Sequence, residues 1–233
     1  PHQSGIHYNH PPPGNTALNK MASRKEYETT RSQAFHLIQN VDTLPRLLAA
    51  HGYRCLQTGK FWEGHYRNAG FTEGMTIFEP VPGQSFGGNR KLANGELAAH
   101  GNGDWGLKIG RETMQPIYDF VRDCKKKETP WLVWYAPYLP HQPHDSPQKY
   151  FDQYRKNPRV SEQEIAYYAS CSQFDDTVGD LIRFVERESD AKNTLFLFVI
   201  DNGLTPGTRP MKPRENFHHT KASKRSPFDD GLR

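Results

Sequence analysis

Residues 164–203 read EIAYYASCSQFDDTVGDLIRFVERESDAKNTLFLFVIDNG, and the change of period inside them decides the fold class. Ile165, Ala169, Val178, Leu181, Ile182 and Val185 recur at helical spacing and predict a long amphipathic helix from Glu164 to Glu188. From Thr194 the pattern switches to an unbroken apolar run, TLFLFVI, which predicts a strand buried on both faces. The run stops on Asp201, Asn202 and Gly203. Asp and Asn bond their own backbone and Gly tolerates positive φ, so on local grounds this is a turn. The same oxygens could also hold a cation, and the stretch taken alone favours the turn.

The helix-then-strand order occurs twice more upstream. Asp42 or Thr43 can cap a short helix with Pro45 inside its first turn and Gly52 as its stop, and the strand YRCLQT follows at once. Met114, Ile117, Tyr118 and Val121 mark a second helix before WLVWYA, which begins at Trp131. Three such units with continuous apolar strands predict an α/β fold, a mainly parallel sheet sandwiched by helices. Residues 1–33 are polar, contain Pro11-Pro12-Pro13-Gly14, and read as a surface loop. Residues 64–110 are rich in glycine and poor in periodicity, as expected of loops that shape access to a site.

Composition narrows the function. Only 35% of the 233 residues are apolar, and no apolar run approaches the ~20 residues of a membrane span. Thirty Lys and Arg against 26 Asp and Glu leave a net charge of +4 with the signs mixed, which suits a small anionic substrate better than a nucleic-acid track. Cys55, Cys124 and Cys171 are widely spaced and form neither a disulfide framework nor a zinc site. The chain opens on Pro1 without a targeting pattern and stops at Arg233 in a loop-like run, so residues 1–233 read as a fragment, truncated at both ends.

In open α/β sheets ligands gather at the carboxyl ends of strands. Three predicted strands end in polar chemistry: YRCLQT in Gly59-Lys60, WLVWYA in PYLPHQPH, and LFLFVI in Asp201-Asn202. Lys60 could pin an oxyanion as a point charge. Of His141 and His144, three apart on an extended segment, one ring should enter the site and the other should not. A histidine there could protonate a leaving oxygen. Asp201 and Asn202 offer hard oxygen ligands, and Lys224 could supply a second cation. For each residue taken singly, an ordinary surface or turn role is the competing reading.

Taken in order, these segments resemble the type I sulfatases of the alkaline phosphatase superfamily. GYRCLQTGKFWEG is similar to their GYxTxxxGKWHLG, YAPYLPHQPHDSP to their APHxP segment, and TLFLFVIDNG to their TxxxFTSDNG. YYASCSQFDDTVGDLI resembles their long helix before the metal strand, KRSPFDDGLR their KxxxxExGxR with Asp for Glu, and PHQSGI their PHxxGV. The resemblance implies an alkaline phosphatase-like fold, here incomplete, and a sulfuric ester hydrolase of the arylsulfatase kind. It implies that Asp201 and Asn202 ligate a divalent metal, calcium with magnesium as the alternative. Lys60 and Lys224 would grip sulfate oxygens, and His141 would contact the ester and assist departure of the alcohol. The substrate would be a sulfated small molecule or glycan, with no nucleic acid and no membrane span, and the compartment secreted, periplasmic or lysosomal.

Two departures stand beside the resemblance. Trp62, followed by Glu63, replaces the family histidine of GKWHLG, with His65 nearby. No Cys or Ser stands in the C/S-x-P-x-R segment from which the family makes its formylglycine nucleophile, and the paired aspartates that complete the metal shell are missing. Asp175-Asp176 falls inside the predicted helix and reads as a helix-face pair. Since PHQSGI should follow the nucleophile segment, truncation just before Pro1 is the expected reason, and these residues alone are expected to be inactive. Two other readings keep the fold: a phosphate or phosphonate monoester hydrolase, and a non-catalytic protein that binds sulfated glycans.

Overall fold

The computed structural model describes residues 4–6, 23–79, 90–98, 105–141, 143–188, 191–200, 203–204 and 224–225. Its centre is a parallel sheet in which β1 (Arg54–Gly59) lies between β2 (Glu73–Gly74) and β5 (Trp131–Ala136). β1 and β5 pair residue for residue, from Arg54 opposite Trp131 to Gly59 opposite Ala136, so the two strands finish at the same level. Two short strands, β3 (Arg90–Lys91) and β4 (Leu97–Ala98), form a separate antiparallel hairpin in the loop region.

Alternation along the strands supplies two cores. Leu56, Val133 and Tyr135 face a cluster with Ile117, Phe120, Val121, Phe184 and Val185. Those partners come from α3 (Gln115–Lys126) and α5 (Glu162–Glu188). Cys55 and Leu132 point the other way, toward Leu48, Ala49, Phe61, Ala69 and Phe71. That second layer includes α2 (Leu44–Ala50), which Thr43 caps through the Arg46 N–H, with Pro45 in its first turn. A parallel sheet covered by helices on both faces is the predicted architecture. A polar clamp reinforces it: Arg54 donates to Glu73 at 2.7 and 2.8 Å and to Asp123 at 2.6 Å, tying the start of β1 to β2 and α3.

The structure corrects the reading of residues 1–33 as loop, because α1 (Arg24–Gln39) begins inside that span. Ser23 caps it by accepting from the Glu26 N–H, and its buried stripe is Tyr27, Arg31, Ala34 and Phe35. A fully buried arginine sits on that stripe, so apolar periodicity does not reveal it. A further helix, α4 (Gln148–Tyr154), packs against α5 through Tyr150, whose hydroxyl donates to Asp176 at 2.8 Å. Asp176 is thereby a helix-face residue with a structural partner, and Lys149 lies 3.5 Å from the same carboxylate.

The run TLFLFVI is the second correction. Residues 194–200 are not paired in a sheet, and the side chains stand out in solvent, Leu195 at 80% and Val199 at 85% exposure. An apolar run has strand propensity, but burial must come from neighbouring strands and a covering layer. Among the described residues nothing supplies either: β5 pairs only with β1 and leaves its other edge open. No helix among them is long and apolar enough to cross a membrane.

Candidate active site

The carboxyl ends of β1 and β5 are locked together by one glycine. Gly59 has φ +76°, and a Cβ there would stand 1.8 Å from the Ala136 carbonyl oxygen, so only a residue without a side chain fits. Directly beyond it the Lys60 N–H donates to that oxygen at 2.7 Å. Lys60 and the segment beginning at Pro137 thus leave the sheet side by side.

Tyr138 is where they meet. The Lys60 ammonium lies 5.7 Å from the centre of the Tyr138 ring. The chain then turns back on itself, the His141 N–H donating to Tyr138 O at 2.8 Å across a cis Leu139–Pro140 bond. The His141 imidazole stacks on the same ring, 4.4 Å between centroids and 28° between planes. Tyr138 itself is 5% exposed, whereas His141 is exposed. A cation and an imidazole are therefore both held against one aromatic ring at a strand end, groups able to receive an anion and to protonate what leaves it.

The two histidines differ in environment, and the local geometry is a turn rather than the extended chain expected, so their spacing is not the reason. His144 faces inward, its Nε2–H donating to Pro140 O at 3.2 Å and its ring 5.9 Å from that of Tyr167. Burial pulls its pKa below the usual histidine range, against the carbonyl contact that raises it. It is a structural residue of the turn.

Arg111 holds the whole turn. It lies in the loop before α3, its side chain only 5% exposed, and it donates to Pro143 O at 3.0 Å and His141 O at 3.3 Å. It also pairs with Asp145, and its guanidinium stands 6.0 Å from the Tyr138 ring centre. Burial lowers its pKa and Asp145 opposes that shift. Arg111 comes from a stretch without a recognisable motif, and Tyr138 is an ordinary aromatic in PYLPHQPH, so sequence reasoning picks out neither.

The remaining candidates fall elsewhere. Asp201 and Asn202 lie outside the described residues. Directly after them β6 (Gly203–Leu204) pairs antiparallel with β7 (Lys224–Arg225), Leu204 opposite Lys224, so the backbone of Lys224 runs beside the segment that follows Asn202. Trp62 accepts from Arg31 at 3.1 Å through its carbonyl, and Glu63 is buried enough for desolvation to push its carboxyl up, with Arg31 pulling it back. His65 caps the short helix Tyr66–Ala69 through the Arg67 N–H and lines a cleft of about 280 Å³ shared with Glu28, Ser32 and Phe35 of α1. Among the described residues there is no group of three or more His, Cys, Asp or Glu able to hold a metal. Cys55 and Cys124 are fully buried, and burial pushes both thiols up to about 11. Burial in α5 also raises the Cys171 thiol, so none of the three is poised as a thiolate nucleophile.

The profile of the family described as Sulfatase matches residues 14–228. An ulvan-active sulfatase of Formosa agariphila is 28% identical over 138 residues, which make up 53% of this chain and 27% of that protein. The chain thus matches about a quarter of that relative's length. Among solved structures, Ps i-CgsB is similar at a TM-score of 0.46 and 16% identity, over 65% of this chain and 39% of that one. Its complex with k-i-k-neocarrahexaose gives 0.44 and 16%, over 62% and 36%.

Proposed function

The chain belongs to the sulfatase family, and from that premise we propose that it forms part of a sulfuric ester hydrolase acting on a sulfated glycan. The single observation that carries the reading is the meeting of Lys60 and His141 on the Tyr138 ring at the carboxyl ends of β1 and β5. Lys60 binds the sulfuryl oxygens as a compact charge. Partial burial makes that charge worth more than it would be in open water. His141 would protonate the ester oxygen as the sulfuryl group passes to a nucleophile that the described residues do not supply, so the sulfur–oxygen bond breaks and the sugar leaves as a neutral hydroxyl. Lys224, whose backbone runs beside the segment after Asn202, supplies the second positive charge. A glycan is the favoured alcohol because a relative 28% identical to part of this chain is described as an ulvan-active sulfatase.

The donor chemistry of Asp201 and Asn202, a carboxylate and an amide carbonyl, fits a hard cation such as calcium, with magnesium the alternative. When bound, that ion would polarise the sulfuryl oxygens. Two donors are a fraction of the six to eight oxygens calcium takes. A formylglycine does not fit these 233 residues: no Cys or Ser stands in C/S-x-P-x-R, and Cys55 and Cys124 are packed inside the two cores rather than presented at the site. We therefore expect the chain alone to bind inorganic sulfate without turning over an ester.

The test compares an aryl sulfate with the matching aryl phosphate, using the full-length gene product supplied with calcium and a formylglycine-forming enzyme. Faster sulfate release is expected, and Lys60→Ala should lower kcat/KM by about a hundredfold. Faster phosphate release would establish a phosphate or phosphonate hydrolase instead. Absence of turnover, with sulfated glycan still bound, would establish the binding protein.

A further inference from the structure

We propose that Arg111 and Tyr138 are positioning residues, a frame that fixes the His141 imidazole relative to the Lys60 ammonium. The inference rests on the reading of Lys60 and His141 as the working pair, but its geometry does not.

His141 sits at an exposed turn, where a lone histidine would sample several rotamers. One contact restricts the imidazole itself, and two more fix the His141 backbone that carries it. The Tyr138 ring lies under the imidazole at 4.4 Å, its own N–H closes the turn onto Tyr138 O at 2.8 Å, and Arg111 takes its carbonyl at 3.3 Å. Arg111 spans farther than that one contact. The same guanidinium takes Pro143 O at 3.0 Å and the Asp145 carboxylate. A planar fork with five donors can hold two carbonyls and a carboxylate together, whereas the single ammonium of lysine cannot reproduce that geometry. On the other side Lys60 is fixed by its N–H to Ala136 O and approaches Tyr138 at 5.7 Å. Tyr138 is thus the common reference for both groups, and Arg111, 6.0 Å from the same ring, keeps the turn that carries it in place.

The frame is buried where the histidine it serves is exposed. Tyr138 is 5% exposed and the Arg111 side chain 5%, while the histidine they hold is open to solvent. Neither positioning residue has to touch substrate. Their effect is on the spacing of Lys60 and His141, and displacing a reacting group by about 1 Å can cost about a hundredfold in rate.

The test uses the 233-residue chain and two readouts, the His141 ring-proton resonances and titration with inorganic sulfate. In the wild type the stacked Tyr138 ring should displace the His141 ring protons upfield of a free histidine. Tyr138→Phe keeps a ring and should preserve that displacement. Tyr138→Leu and Arg111→Lys should move the resonances toward the free position and weaken sulfate binding about tenfold or more. Circular dichroism identifies any variant that fails to fold. Should Tyr138→Leu unfold, the comparison of Arg111→Lys with Tyr138→Phe carries the result. Unchanged His141 resonances in folded Arg111→Lys would overturn the proposal. If the resonances move as expected but wild-type chain shows no sulfate binding, the frame stands and the reading of Lys60 and His141 as an anion site fails.

Discussion

Replacing Gly59 by alanine should separate the two strand ends on which the site is built. A Cβ at that position would stand 1.8 Å from Ala136 O and 2.3 Å from Ala136 C, and both are backbone atoms that no side-chain rotation can clear. The φ of +76° adds the left-handed penalty of about 1–2 kcal/mol for a residue with a Cβ. Relief of the clash would break the 2.7 Å bond from Lys60 N–H to Ala136 O, worth about 1 kcal/mol. Forcing the packed strand ends apart adds about 1–3 kcal/mol. The sum is about 4 kcal/mol, or roughly 10 °C in melting temperature for a domain of this size. Gly52→Ala is the control, because its φ is +84° yet nothing lies within 4 Å of the added methyl group. It should pay only the backbone strain, about 1 kcal/mol and a few degrees. Thermal melts and urea titrations of the two variants measure the difference. If both lost the same few degrees, the close approach of β1 to Ala136 would carry no energetic weight and the reasoning would fail.

Three other outcomes follow from the packing. Phe184, 2% exposed and stacked on Tyr118 at 4.2 Å, should cost about 3–5 kcal/mol on truncation to alanine, read as a lower urea midpoint; a loss under 1 kcal/mol would contradict its place in the main core. Burial holds the folded-state pKa of His144 below its unfolded value near 6.5, so between the two the unfolded chain binds more protons. Stability should then fall as pH drops below about 6.5, and His144→Gln should flatten that decline; an equal slope in both proteins would remove His144 from the account. Cys55 and Cys124, with thiols near 11 and no exposed surface, should resist a disulfide reagent at pH 8 until urea exposes them, and rapid labelling of either in the native chain would argue against their burial.

What could be read from the sequence follows from which interactions are local. The helix at Leu44–Ala50 announces itself through Thr43, Pro45 and Gly52, and β1 and β5 through short apolar runs, because caps and strand patterns are written within a few residues. Lys60 and His141 are visible as polar groups at strand ends. Three features escaped, each because the deciding partner is distant. Arg31 is buried 0% exposed on α1, with Trp62 O as its partner 31 residues away, so the stripe looks broken by a charge. TLFLFVI reads as a core strand, but a strand is buried only by neighbours, and among the described residues no strand pairs with it. Arg111 meets His141 across 30 residues, and no local pattern can foretell that contact.

The matched register of β1 and β5 bears on how the length of this chain can change. The six pairs from Arg54–Trp131 to Gly59–Ala136 set Lys60 level with Pro137. One residue inserted between Tyr53 and Gly59 would shift Lys60 by about 3.3 Å and turn the following side chains to the opposite face. The same insertion at Asn94–Gly95, in the exposed turn joining Leu92 to Glu96, would leave both sheet cores in place and reach only the small cluster of Tyr27, Leu92 and Ala98. Insertions and deletions among descendants of this chain should therefore accumulate in that hairpin, and the span from Tyr53 to Lys60 should keep a constant number of residues.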